Sequence, residues 1–329
     1  MSDSLKYGLA PDRYRRPSSI VSKFAAVVFT LPILLFVFSL LGRYFFFAEL
    51  ICNFRCQILC LLIPGAVMLL VFRRWWLGSI NLIAIVWCMF GVVWIYIPVD
   101  RPTPGSETLR VMSFNVLTTN SRYEEVLGQI KTTDPDVVTI LEYSDDWDRA
   151  CKNLNQRYPH HIALPRWHGF GIAIYSKHPL SDVEVVQLTR DVTDNPLITA
   201  NVSLGDQTIR LAAVHALSPI NRYRMDLRNR QFTEAAQYLG QQDLPTVVMG
   251  DFNCVPWSPF LSDFLKQTGY RDSRQGFGYQ ATWNSNFWPL WIPIDHAFVS
   301  DKIHVHDRYV GRNSGSDHFP IVFEISTAR

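Results

Sequence analysis

Two long apolar segments near the N-terminus constrain this chain more than any other feature. Residues 24–41 read FAAVVFTLPILLFVFSLL, residues 75–99 read WWLGSINLIAIVWCMFGVVWIYIPV, and neither segment contains a charged residue. As a helix, each is long enough to cross a hydrocarbon core roughly 30 Å thick. The sequence therefore predicts a membrane anchor in residues 1–100, followed by a separate soluble part.

A third apolar segment lies between these two. Residues 56–72 read CQILCLLIPGAVMLLVF, which is short for a span and contains Pro64 and Gly65. A kinked or re-entrant segment is the alternative to a crossing. Repeated apolar segments without a small-residue cleavage site argue against a removed signal peptide. We expect transmembrane helices at about 22–42, 54–72 and 75–98.

Positive residues near the spans predict the orientation, because Lys and Arg beside short loops resist translocation. The tail before the first span holds five of them and the second loop holds Arg73 and Arg74, whereas the first loop holds Arg43 and Arg55 with Glu49 between them. We expect the tail and the second loop to face the cytoplasm. Three crossings then place the soluble part on the extracytoplasmic side of the cell membrane.

The soluble part begins after a polar connector with two prolines, residues 101–108, and runs from 109 to 329. Residues 101–329 hold 22 Lys and Arg against 25 Asp and Glu, a formal net charge of −3. Domains that bind duplex nucleic acid usually carry a basic balance or stripe. The charge therefore disfavours DNA as the main substrate.

Strand-like and helix-like patterns alternate along this part, which predicts a mixed α/β domain. Ser121 with Glu124, and Ser144, match helix starts, and a third helix is expected over about 221–239. Gly205-Asp206 separates two apolar runs and predicts a hairpin. The predicted strands are residues 109–116, 136–141, 171–175, 198–204, 208–216, 246–250 and 320–325.

Polar residues stand where several apolar runs end, which is where sheet proteins assemble their sites. Asn115, Glu142 and His215 are each a weak signal, since a turn or structural role is common for such a residue. Asp251 and Asn253 in VVMGDFN are more specific, because residues two apart can face the same side. Together these five residues would supply oxygen ligands and hydrogen-bond donors to one site.

The C-terminal part adds three candidates. Asp295 in IDHAF lies in an apolar strand, where a buried carboxylate requires a partner. Asp317 and His318 in GSDHFPIVFEI come immediately before the last strand. The complete set supplies ligands for a hard cation, a group to orient or deprotonate water, and donors for charge on a phosphoryl group.

The ordered series SFNV, LE, VHALSP, GDFN, IDH and SDH resembles the endonuclease/exonuclease/phosphatase superfamily, which includes pancreatic-type deoxyribonuclease. The likeness covers about residues 109–325. It implies a deoxyribonuclease I-like four-layer α/β sandwich of two mixed sheets, here preceded by transmembrane helices, and hydrolysis of a phosphoester by in-line attack of water without a covalent intermediate.

The resemblance also implies a role for each residue. Asn115, Glu142 and Asp317 would hold Mg2+ or Mn2+, directly or through water. Asp251 would orient or deprotonate the attacking water, and Asn253 would position it. His318, paired with Asp295, would stabilise charge on the phosphoryl oxygens or act as the base, and His215 would contact a phosphoryl oxygen.

Two loops bear on the substrate. After His215, the run SPINRYRMDLRNRQ carries arginines that could bind a further phosphate or form a solvated helix face. Before Asp295, NSNFWPLWIP carries aromatic residues that favour a lipid chain or membrane interface, although a buried structural plug is equally plausible. The candidate substrate-binding residues are Arg222, Arg224, Arg228, Trp288 and Trp291.

An anchored, slightly acidic domain with aromatic residues near its site predicts membrane lipids as partners and a lipid-borne phosphate as substrate. A membrane-tethered nuclease is the alternative, and a protein that only binds phosphorylated lipids is a third class. Cys151 and Cys254 lie in the soluble part, and the sequence does not decide whether they form a disulfide.

Overall fold

The computed structural model describes residues 19–99, 107–189 and 194–328. The predicted N-terminal tail and most of the predicted connector lie outside these residues. Two helices in the described part are long and apolar enough to cross a membrane, Ile20–Ser39 and Trp75–Tyr96, and a bent helix pair would add a third. The N-terminal helices are α1 (Ser19–Ser39), α2 (Phe46–Cys52), α3 (Arg55–Val71) and α4 (Trp75–Val93).

Helices α1, α3 and α4 pack side by side around a small apolar core that includes Ile33, Leu62 and Cys88. Pro64 lies inside α3 without ending it, and the bend instead falls between α2 and α3, at 73°. Nε of Arg74, between α3 and α4, donates to Ser22 Oγ near the start of α1 at 3.1 Å. The second loop therefore lies beside the beginning of the first helix.

The described residues after α4 form two six-stranded sheets. The strands are β1 (Leu109–Asn115), β2 (Val137–Leu141), β3 (His160–Leu164), β4 (Ile172–Ser176), β5 (Leu180–Leu188), β6 (Asn195–Leu204), β7 (Gln207–His215), β8 (Thr246–Asp251), β9 (Arg271–Asp272), β10 (Asp295–Val299), β11 (Ile303–Val310) and β12 (Ile321–Thr327). The first sheet has the order β11-β12-β1-β2-β4-β3 and the second β5-β6-β7-β8-β10-β9. Among these strands, β1 with β2 and β7 with β8 pair in parallel, and the other pairs are antiparallel.

Four helices cover the outer faces of the sheets. They are α5 (Tyr123–Thr133), α6 (Asp145–Ala150), α7 (Arg222–Leu239) and α8 (Pro259–Thr268). One apolar core lies between the sheets and joins Val111 to Met249, a second packs α5 and α6 on the first sheet, and a third packs α7 and α8 on the second sheet. Apolar side chains on both faces of the central strands explain this arrangement. The predicted sandwich of two mixed sheets is confirmed.

The hairpin at Gly205 and the N-cap at Ser144 are present, since β6 pairs with β7 and the Ser144 side chain accepts from Trp147 N. The predicted capping box at Ser121 is wrong. Helix α5 begins at Tyr123 without a side-chain cap, and Asn120 Oδ1 instead accepts from Arg122 N at 3.0 Å.

All seven predicted strands are present, with shifted ends, but β3, β5, β9, β11 and α8 were not predicted from the sequence. Most residues of β5 are exposed, so that strand lacks a continuous apolar signal. Cys151 and Cys254 are both buried with free thiols. They lie in cores on opposite sides of the sandwich, which rules out a disulfide between them.

Candidate functional site

The topology brings the predicted polar residues to one edge of both sheets. Asn115 ends β1, the first strand of the parallel pair β1 and β2. His215 and Asp251 end β7 and β8, the two strands of the second parallel pair. The first residue of an antiparallel neighbour lies at the same edge, so Asp295 at the start of β10 pairs with Asp251. His318 precedes β12, which is antiparallel to β1, and reaches this edge for the same reason.

A buried carboxylate and imidazole form the centre of the site. Nδ1 of His318 lies 2.9 Å from Oδ2 of Asp295, and its Nε2 lies 3.7 Å from Oδ2 of Asp251. All three side chains are at least 94% buried. Ligand atoms of these residues lie within 4.8 Å of one another. A carboxylate at Nδ1 fixes the ring and directs Nε2 toward the remaining polar groups.

Asn115 links the two sheets. Its Nδ2 donates to Glu142 Oε1 and to Asp251 Oδ2, both at 3.1 Å, and the side chain is fully buried. Glu142 has a φ of 59°, an uncommon conformation for a residue other than glycine. Thr118 donates to Glu142 Oε2 from its backbone nitrogen at 2.9 Å and from its hydroxyl at 3.1 Å. The carboxylate is thus held in one position.

The turn after β8 positions Asn253. Asp251 Oδ1 accepts from Asn253 N at 2.8 Å, and Asn253 Nδ2 donates to Ala216 O at 3.0 Å. Gly250 has a φ of 142°, and a Cβ atom there would lie 1.8 Å from the carbonyl oxygen of Val214. Only glycine allows β8 to approach β7 this closely just before Asp251.

Asp317 faces the same space from the other sheet. Its Oδ2 accepts from Trp283 Nε1 at 3.0 Å, whereas its Oδ1 is buried and makes no hydrogen bond to any described residue. A buried carboxylate oxygen without a partner is costly. The oxygens of Asp317 and Glu142 are the ligands that Mg2+ and Mn2+ prefer. The residues present therefore fit a hard divalent cation.

Burial and neighbouring charges shift the proton affinities. Burial by itself lowers the pKa of His318, but the carboxylates of Asp295 and Asp251 outweigh it and raise the pKa to about 10. Burial, with the nearby charge of Asp295, raises the pKa of Asp251 to about 8. Burial lowers the pKa of His215. His318 is thus held as a cation, and His215 is neutral at pH 7.

These side chains line a cleft of about 720 Å³. Phe170 and His215 contact each other on one wall, with ring centroids 5.0 Å apart. Three residues of the N-terminal helical region, Leu50, Asn53 and Phe54, also line the cleft. The other lining residues are Glu142, His168, Gly169, Ser218, Pro219, Ile220, Arg224, Asp251, Asn253, Trp283, Ile292, Ile294, Asp317 and His318.

Only one of the five candidate substrate-binding residues lines the cleft, Arg224. Arg222 pairs with Asp226 on the exposed face of α7. Arg228 is fully buried and pairs with Glu49 of α2, so the expectation that it faces a substrate phosphate is not met. A buried guanidinium requires a charged partner, which α2 provides.

Trp288 and Trp291 lie outside the cleft, in a loop that contacts the beginning of α3. Gln57 Nε2 donates to Trp291 O at 2.8 Å. Trp288 is 75% exposed and Trp291 40% exposed, so the expected alternative of a buried plug does not describe Trp288.

Sequence reasoning missed Thr118, Trp283 and the three cleft residues of the N-terminal helical region. Thr118 lies three residues beyond β1, in the loop at the strand end, a position that could have suggested it. Trp283 is 34 positions from Asp317, and no local pattern indicates their contact. Leu50 lies in the predicted first loop and Phe54 at the start of the second predicted span, and neither carries a polar signal that would indicate a site.

Two stacked mixed sheets with acidic and histidine side chains at one shared edge define a metal-dependent hydrolase of phosphate esters. The family model described as "Endonuclease/Exonuclease/phosphatase family" matches residues 112–318, well over half of the chain. The protein therefore belongs to this family. A search of curated protein sequences found no significant match.

Solved structures share the fold. An endonuclease/exonuclease/phosphatase from Beutenbergia cavernae DSM 12333 is 18% identical with a TM-score of 0.55, over 68% of this chain and 72% of that chain. The human Nocturnin catalytic domain with bound sulfate is 19% identical with a TM-score of 0.58, over 70% and 97%. TDP2 of D. rerio with a single-strand DNA product is 18% identical with a TM-score of 0.56, over 67% and 99%.

Proposed function

We propose that this protein is a membrane-anchored, divalent-metal-dependent phosphoesterase that hydrolyses a phosphate ester or pyrophosphate carried by a lipid. The observation that carries the reaction type is the convergence of Glu142, Asp251, Asp317 and His318 from both sheets on one cleft, with Asn115 hydrogen-bonded to Glu142 and Asp251. Residues 1–100 are the anchor and residues 109–329 the catalytic domain.

The chemistry follows from the positions of the buried groups. Asp251 in its ionised form accepts a proton from water, and its raised pKa makes that carboxylate a stronger base; Asn253 positions that water and the phosphate. His318, held as a cation by Asp295, donates from Nε2 to a phosphoryl oxygen and stabilises the charge that develops there. His215 contacts a second phosphoryl oxygen, and Arg224, which lines the cleft, binds a further phosphate.

Glu142 and Asp317, with Asn115 beside them, are the residues that would hold Mg2+ or Mn2+. The buried Oδ1 of Asp317 that has no hydrogen-bond donor supports this assignment. When bound, the ion supplies Lewis acidity toward a phosphoryl oxygen. Asp251, Asp295 and His318 form the other close acidic group, but the bond between His318 and Asp295 engages an atom that a metal would need.

The anchor supports a substrate in the bilayer. Side chains such as Val27, Ile83 and Phe90 leave the helices with an exposed apolar surface, which suits lipid contact. Trp288 and Trp291 lie in one loop, and the carbonyl oxygen of Trp291 accepts from Gln57 near the beginning of α3. Exposed tryptophans near the end of a membrane helix are typical of a membrane interface.

The arrangement of the helices supports three crossings. Arg43 in the first loop forms an ion pair with Asp263 at 2.6 Å, so this loop lies with the catalytic domain. Arg74 in the second loop contacts Ser22 at the other end of α1. With the second loop in the cytoplasm, as its arginines favour, the catalytic domain is extracytoplasmic. A reporter fused after residue 328 should then be active only outside the cytoplasm.

The test is phosphate and headgroup release by the full chain in detergent with Mg2+ or Mn2+. The substrates are a polyprenyl pyrophosphate, phospholipids, sphingomyelin and plasmid DNA. Asp251→Ala and His318→Ala should abolish turnover of a lipid substrate, and Asp243→Ala, at an exposed position, is the matched control.

The other outcomes identify the competing functions. Nicking of plasmid DNA without lipid turnover would make the protein a tethered nuclease, against the net charge of the domain. A biological effect that survives Asp251→Ala would indicate a protein that only binds phosphorylated lipids.

A further inference from the structure

We propose that the turn between α2 and α3 forms an apolar wall of the catalytic cleft that binds the hydrocarbon chain next to the scissile phosphate. The anchor would then determine specificity as well as location. This inference rests on the proposed function, because it concerns the same cleft and the lipid part of its substrate. We call Leu50, Asn53 and Phe54 the anchor wall.

The anchor wall belongs to the cleft by position. Leu50 is in the last turn of α2, Asn53 and Phe54 follow it, and all three are half-buried and line the same 720 Å³ space as Asp251 and His318. The structure therefore places residues of the N-terminal helical region among the residues that surround the site.

Two contacts made by residues that flank the anchor wall, Cys52 and Glu49, hold it against the catalytic domain, and a third contact links the partner of Glu49 to Asn253. Trp257 Nε1 donates to the carbonyl oxygen of Cys52 at 2.7 Å. Glu49 and Arg228 form an ion pair in which both side chains are at least 98% buried. The same arginine donates from Nη1 to the carbonyl oxygen of Asn253 at 3.1 Å. The wall is thus connected to the turn that carries Asn253.

A shared apolar core supports these contacts. Cys52, Val92 and Ile95 from the anchor pack in one buried cluster with domain residues, including Val255 and Ile292. Removal of the anchor would expose the domain side of this cluster to water at a cost of about 25 cal/mol per Å². The catalytic domain and the anchor therefore form one packed unit at the cleft.

The surfaces of the cleft point to the ligand class. Glu142, Asp251, Asp317 and His318 supply the polar part, whereas Leu50 and Phe54 lie with Ile292 and Ile294 in the apolar part. Ile220, which is 68% exposed, continues the apolar surface outward. A phosphoester with an adjacent acyl or prenyl chain matches both parts.

The direction of the bound hydrocarbon chain also follows from the structure. The anchor wall comes shortly after α1 ends at Ser39 and just before α3 begins at Arg55. It therefore lies where the membrane helices meet the catalytic domain. A hydrocarbon chain held along Leu50 and Phe54 is adjacent to the apolar surface of the helices, so it can remain in the bilayer during hydrolysis.

The experiment measures the preference for the length of the substrate's hydrocarbon chain. It uses the protein with its N-terminal helices, in detergent. Each comparison uses two substrates with the same headgroup: a long-chain polyprenyl pyrophosphate against dimethylallyl pyrophosphate, and dioleoyl against dibutyryl phosphatidic acid. The measured quantity is the ratio of kcat/KM for the long substrate to that for the short one. Leu50→Ala and Phe54→Ala should each lower this ratio about tenfold.

Two further variants separate specificity from damage. Phe47→Ala removes an aromatic ring from the same helix at a position that is 68% exposed and outside the cleft, and it should keep the wild-type ratio. Phe54→Leu keeps an apolar side chain and should restore most of the preference. Thermal unfolding of each variant shows whether it is folded.

The outcomes distinguish this inference from the proposed function. Folded Leu50→Ala and Phe54→Ala proteins with the wild-type ratio, or with equal losses on long and short substrates, would overturn the anchor wall while the lipid phosphoesterase stands. A wild-type protein that cleaves plasmid DNA and no lipid substrate would reject the proposed function, and the chain-binding wall with it.

Discussion

His318 and Asp295 form a buried hydrogen-bonded pair, with 2.9 Å between Nδ1 and Oδ2. We expect Asp295→Asn to lower kcat by about 10²-fold or more, because an amide neither holds the imidazolium charge nor fixes the ring in the same way. The measurement is steady-state turnover of whichever substrate of the proposed panel the wild-type protein cleaves. Asp301→Asn, at an exposed position after the same strand, is the control, and equal activity in the two variants would contradict the role of the pair.

Trp283 tests the cation site without removing a ligand. Its Nε1 donates to Asp317 Oδ2 at 3.0 Å, so Trp283→Phe keeps an aromatic ring and removes the donor. We expect the Mg2+ concentration at half-maximal activity to rise about 10- to 100-fold, the usual effect of losing a partner that orients a ligand. A variant with reduced kcat and an unchanged Mg2+ requirement would place the cation elsewhere.

Two glycines give opposite predictions for stability. Gly250→Ala brings a Cβ atom within 1.8 Å of Val214 O and should lower the free energy of unfolding by several kcal/mol, in the manner of an overpacked core. Gly128 is in helix α5 with no atom within 4 Å of an added Cβ. Gly128→Ala should therefore raise that free energy by about 0.5–1 kcal/mol. Thermal unfolding measures both changes.

The ion pair of Glu49 with Arg228 predicts coupling between the N-terminal helical region and the sandwich domain. Glu49→Ala leaves a buried guanidinium without its carboxylate and should cost about 3–5 kcal/mol. The double change Glu49→Leu with Arg228→Met should recover much of the melting temperature. The activity of this double variant should be low, because the carbonyl oxygen of Asn253 loses the donor that Arg228 provides.

The control for this pair is Arg222→Ala, which breaks an exposed pair with Asp226 and should change stability by less than about 0.5 kcal/mol. The melting temperatures are measured by thermal unfolding in detergent. If the loss in the double variant equals the sum of the losses in the two single variants, Glu49 and Arg228 do not interact.

A buried histidine away from the cleft predicts acid sensitivity. Burial, followed by the charge of Arg274, lowers the pKa of His296. A histidine with a lowered folded-state pKa stabilises the fold fully above its unfolded pKa of about 6.5, and this contribution is lost as pH falls below that value. The difference in melting temperature between wild type and His296→Gln should therefore shrink between about pH 7.5 and 5.5. A constant difference would contradict the assignment.

Local patterns explain how much of the fold was predictable. The uncharged residues 24–41 and 75–99 required helices of spanning length, and apolar runs ending at Asn115, His215 and Asp251 predicted strands. These signals depend on neighbours within a few positions. Strand β5 was missed because most of its residues face solvent, where no apolar alternation is required.

The sequence by itself determined the residue types of the site, since strand ends must carry the polar groups that a buried strand cannot. Only the tertiary structure decided which of them meet. Glu49 and Arg228 are 179 positions apart, and Asn115 and Asp251 are 136 apart. The physical reason is that a buried charge is satisfied by whichever partner packing brings within a few ångströms, and that partner is set by the arrangement of sheets and helices, which a local pattern does not contain.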